Sequence, residues 1–178
     1  MLYHAIKRLE KKYNFFNCYF LSHEFILKWL DHLGYPAIPD REVKTAVILK
    51  NKKSNKRKGI ILYNPHLQSD NLILTLGHEL GHILLGHLDY ADVLFSDKTF
   101  FSKSGLEKDA GIIGFLCWLP TPFLRKLEMQ ERLSIPELAW ELNTCDTEWE
   151  LMYKLCEARI KIYKALKRIE GGEICLES

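Results

Sequence analysis

Apolar residues recur every three to four positions over about residues 2–16 and again over about 20–33, the spacing of two amphipathic helices. "HLGYPAIPD" then interrupts the pattern with Gly34, Pro36 and Pro39. "TAVILK" and "GIILYN" are short β-rich runs that read as strands. The polar, strongly basic "NKKSNKRKG" between them makes an antiparallel hairpin with a long solvated tip. "NPHLQSDN" is a turn, with Asp70 or Asn71 placed to cap a helix over about 72–85 and Gly86 placed to end it. Residues 88–105 read as loop. A second apolar helix spans about 106–119 and stops at "PTP". Further helical patterns follow, the last continuing through "CEARIKIYKALKRIE". The order of elements predicts an α+β fold with a small mixed or antiparallel sheet. It divides into a domain over 1–125 and a C-terminal helical segment over 126–178 packed on it.

Composition leaves that picture in place. The 178 residues are 47% hydrophobic and 27% charged, ordinary for a globular chain. The net charge of +2 sets up no strong field toward nucleic acid or membrane. No apolar run approaches the ~20 residues of a membrane span, and the N-terminus lacks the uninterrupted apolar segment of a secretory signal. Five scattered cysteines, without a Cys-x-x-Cys pair, fit reduced thiols in a cytoplasm.

The chemistry lies in "LTLGHELGHILLGH". His78 and His82 are one helical turn apart on one face, so both imidazoles can meet one ion. Glu79 is free to act as the base toward water on that ion. Small Gly77 and Gly81 admit a close neighbour at a cost in helix propensity. A third ligand must come from elsewhere. His87 would lie about 140° round from His82 on a continuing helix, which suits a supporting role better than ligation. Glu107, at the polar start of the second apolar helix, is the better candidate, with Asp109 next. Glu107 also has a simpler reading, as a carboxylate on the helix dipole.

The combination "GIILYN", "HELGHILLGH" and "EKDAGIIGFLCWLP" resembles the ImmA/IrrE family of zinc metallopeptidases over about residues 44–122. The resemblance implies a zincin-like fold with a motif helix, a glutamate helix and a C-terminal helical unit. It implies one zinc per chain on His78, His82 and Glu107, with Glu79 as catalytic base. His87, Tyr90 and Asp109 are then candidates for supporting a ligand or the oxyanion, with Tyr63 a further donor. The implied substrate is a specific protein, a DNA-binding regulator such as a repressor, in phage, mobile-element or stress contexts. Gly111 stands where the family carries a polar residue, so the alternative is a weakly active or inactive metal-binding regulator. "TAVILK" or "GIILYN" is expected to align an extended substrate by strand addition.

Two weaker signals remain. The basic run from Lys50 to Lys58 reads as a solvated loop tip rather than a nucleic-acid contact. "PELAWELNTCDTEWELMYKL" reads as a degenerate helix-turn-helix, because Asp146, Glu148 and Glu150 would repel phosphate. Trp118, Trp140 and Trp149 are expected in the core.

Overall fold

The computed structural model describes residues 2–51, 57–89, 93–95, 105–142 and 149–171. Contacts group them into two compact units, Phe20–Trp118 and Met1–Tyr19 with Leu119–Ser178. The division expected from sequence fell at residue 125. The grouping differs in placing the N-terminal helix with the C-terminal helices.

The central unit holds helices α2 (His23–His32), α3 (Ser69–Leu84) and α4 (Gly105–Trp118), with strands β1 (Ala37–Pro39), β2 (Ala46–Lys50), β3 (Gly59–Tyr63) and β4 (Val93–Phe95). The sheet order is β1-β3-β2-β4. The predicted hairpin is present: β2 and β3 are antiparallel, with Ile48 opposite Ile61. Both side chains are fully buried. Parallel β1 and antiparallel β4 make the sheet mixed. Inward Ala46 and Ile48 alternate with partly exposed Val47 and exposed Leu49, the period-2 pattern of a half-buried strand. None of the helices among the described residues is long and apolar enough to cross a membrane.

The structure corrects several boundaries. The first helix, α1, covers only Leu2–Lys12, and a 3-10 turn over Asn14–Asn17 comes after it. Asn17 donates to the Asn14 side chain at 3.1 Å, a local bond of the kind that competes with helix continuation. The Pro-rich break contains β1, whose Pro39 is tolerated because β1 ends the sheet order. Part of the expected loop is a second 3-10 turn, His87–Asp89, followed by β4. The motif helix starts at Ser69 with Gln68 as its N-cap, so Asp70 lies in the first turn and favours the dipole instead of capping. Gly86, at φ +76°, ends the helix in the left-handed conformation that glycine adopts without strain.

The other unit contains α1, α5 (Thr121–Met129), α6 (Ile135–Leu142) and α7 (Trp149–Glu170). Ile6, Leu124, Leu138, Leu155 and Leu166 are among its buried side chains. Arg159 of α7 is fully buried with them. Its Nε donates to the Leu119 carbonyl at 2.7 Å, and a terminal nitrogen donates to Thr121 Oγ1 at 3.3 Å. Thr121 in turn donates to Glu10 at 3.0 Å. Burial lowers the Arg159 guanidinium to about 10, against the pull of Glu10. Trp118 is buried as expected, but Trp140 and Trp149 are 74% and 59% exposed. The buried positions near them on α6 and α7 are Leu138, Ala139 and Met152 instead. Asp146 and Glu148 lie outside the described residues.

Candidate metal centre

Helix α3 is buried from Leu72 to His82, which its mostly apolar sequence permits. Within that run His78, Glu79 and His82 fall inside an arc of about 100°. Helix α4 packs against α3 and presents Glu107 in its first turn. The three donor groups of His78, His82 and Glu107 converge, with one ligand atom from each within 4.8 Å of the others. His82 Nε2 is 2.9 Å from His78 Nε2. Glu107 places Oε2 at 3.1 Å from His78 Nε2 and Oε1 at 3.4 Å from His82 Nε2.

These separations approach the ~3.3 Å between tetrahedral ligands that each sit ~2.0–2.1 Å from one ion. Two imidazole lone pairs at 2.9 Å repel unless a proton or a cation lies between them. The electrostatics favour the cation. Burial, reinforced by His78, pushes the His82 imidazole down to about 3, although Glu107 pulls it up. The hydrogen bond with His78 holds the Glu107 carboxyl below its usual range. A neutral imidazole and an ionised carboxylate are the protonation states that ligation needs. The donor set therefore fits a zinc ion, with room in its chemistry for a fourth, non-protein ligand.

His87 is buried and does not join the cluster through a shared donor position. Its Nδ1 lies 2.9 Å from His82 Nδ1, on the far side of the ring from the cluster. One of these two nitrogens donates and the other accepts. If His82 presents Nε2 to a metal, its Nδ1–H donates and His87 accepts. Burial lowers the His87 pKa, with Asp109 and Glu107 opposing the shift. Asp109 thus acts on His87 by its charge and is not in the donor cluster. Glu79 is fully buried beside His78 on the helix. Tyr63 ends β3, and Tyr90 lies outside the described residues.

Sequence reasoning placed Lys50 in the solvated tip, but its Nζ donates to the Leu88 carbonyl at 2.6 Å. It thereby ties β2 to the turn that carries His87. The signal was available in the alternation, since Lys50 shares the inward face of Ala46 and Ile48. The strands expected to align a substrate also need correction. Both β2 and β3 are paired on two sides, so neither has an edge for a further strand.

No curated protein and no solved structure matches the chain. A model of the IrrE N-terminal-like domain matches residues 38–161. That stretch takes in nearly all of the sheet, the motif helix, the glutamate helix, α5, α6 and part of α7. It also brings the arrangement of a zinc metalloendopeptidase onto the donor cluster. Because the match covers well over half of the sequence, the chain belongs to the IrrE N-terminal-like domain family, with a zincin-like metallopeptidase fold.

Proposed function

We propose that the protein hydrolyses one peptide bond in a specific protein, a DNA-binding regulator, in a reducing cytoplasm. The convergence of His78, His82 and Glu107 carries the catalytic part of this reading. Family membership supports a protein substrate. Cys117 and Cys156 are buried free thiols, a state that a reducing compartment maintains.

His78, His82 and Glu107 are the residues that would hold a zinc ion, through their imidazoles and carboxylate. When bound, the ion would supply Lewis acidity toward the scissile carbonyl and the attacking water. Glu79 takes the proton of the attacking water and returns it to the leaving amine nitrogen. His87 fixes the tautomer and tilt of the His82 ring, and Asp109 favours positive charge near His87. Tyr90, next in sequence after the His87 turn, is the proposed donor to the oxyanion. Strand β4 is the proposed alignment edge, because it ends the sheet order among the described residues and comes soon after the motif helix.

The reading of a weakly active metal-binding regulator draws on Gly111, buried on α4 where the family carries a polar residue. The contact from His87 answers it, since support for His82 comes from the 3-10 turn after α3 instead. Comparison of new protein N-termini in cells carrying wild type or Glu79→Gln separates the two readings. A cut DNA-binding regulator found only with wild type is expected. Identical sets of N-termini, with zinc bound in both proteins, would leave the non-enzymatic reading.

A further inference from the structure

The cluster depends on how closely α4 approaches α3, and glycines line that approach. The two helices run antiparallel, with Gly77 facing Gly114 and Cys117, and Gly81 facing Ala110. A Cβ at Gly81 would lie 2.7 Å from the Ala110 carbonyl oxygen and 2.9 Å from its Cα. A Cβ at Gly114 would lie 2.9 Å from the Leu74 carbonyl oxygen and 3.3 Å from the His78 nitrogen. These obstacles are backbone atoms, which cannot swing aside as a side chain can. An added methyl must move one helix away from the other.

Gly81 is next to His82, and Ala110 is one turn from Glu107. Moving the helices apart at this contact moves Glu107 away from both imidazoles. A metal shell tolerates only ~0.2 Å in its ligand distances. We infer that Gly81 and Gly114 are positioning residues for the metal centre: their missing side chains set the reach of Glu107 to His78 and His82. This rests on the metallopeptidase reading and adds to it the residues that hold the ligand geometry. It also accounts for glycine at two buried helical positions where alanine would favour helix formation.

The test compares Gly81→Ala and Gly114→Ala with wild type and with Leu30→Ala. Leu30 is a fully buried residue of α2, away from the glycine contacts. Three quantities are measured: zinc affinity by competition with a chromophoric chelator, the visible spectrum of bound cobalt, and urea unfolding with and without zinc. The glycine variants should bind zinc about tenfold or more weakly, the scale of disturbed ligand support. They should lose the intense cobalt bands of a tetrahedral site, and zinc should raise their unfolding midpoint less than it does for wild type. Leu30→Ala should lower stability while keeping the cobalt spectrum. Zinc affinity within about twofold of wild type in either folded glycine variant would overturn the inference. So would an equal loss of affinity in Leu30→Ala, or failure of both glycine variants to fold, which would make the contact general packing. A wild type that takes up no metal removes the underlying metallopeptidase reading as well.

Discussion

Under the proposed function, Glu79 and His87 stand on opposite sides of the same chemical question, how a residue would serve an ion that it does not hold. Glu79→Gln keeps size and burial but removes the base. Zinc content should match that of wild type while hydrolysis of a protein substrate falls by about 10²–10⁴-fold, the usual range for a positioned base. Elemental analysis beside a cleavage assay checks both halves, and loss of zinc in this variant would give Glu79 a ligand's role. His87→Ala removes the acceptor from His82 Nδ1 and should weaken zinc binding by about 10–100-fold. Chelator competition measures this, and an unchanged affinity would mean that His82 needs no partner. The motif made His78, Glu79 and His82 legible as a group, because helical spacing fixes their common face. The 2.9 Å contact of His87 was less legible. It depends on the turn after Gly86, which departs from the helical path used to project the residue.

Among elements, the shortest were the hardest to read. Strands β1 and β4 have three residues each, too few for alternation to emerge. Two prolines around β1 also signal a break, which is compatible with an edge strand but does not announce one. The hairpin and the two central helices were readable because each spans several periods of its pattern. Exposed Trp140 and Trp149 misled for a different reason, since aromatic character says little about which helix face is inward. The strut from β2 to the His87 turn gives an element-level prediction. Lys50→Met keeps the aliphatic stem but removes the donor to Leu88, and should cost about 1 kcal/mol in urea unfolding. No measurable change would show that the turn is held by its own backbone. In the helical unit, Arg159→Ala should cost about 1–3 kcal/mol, because the Leu119 carbonyl and the Thr121 hydroxyl lose a buried donor. Unfolding with a probe in α7 measures it.

At the scale of the whole molecule, acid should loosen the metal-free fold. The His82 imidazole titrates at about 3 in the folded protein and near 6.5 when unfolded. Between those values the unfolded chain binds more protons, so lowering the pH favours it. Glu107, held below the usual carboxylate range, adds a loss in the same direction at lower pH. The thermal midpoint of chelator-treated protein should therefore fall as pH drops from above 6.5 toward 5, and a flat profile would contradict the buried, neutral state of His82. His78 and Glu107 are 29 positions apart in sequence. An ion shared between them closes that stretch into a ring, as a disulfide would. Because the site does not exist in the unfolded chain, free zinc at about a hundred times its Kd would favour the closed, folded loop by about 2.7 kcal/mol. On this account the ion is also a reversible staple, and chelation opens a loop of the chain as it empties the centre.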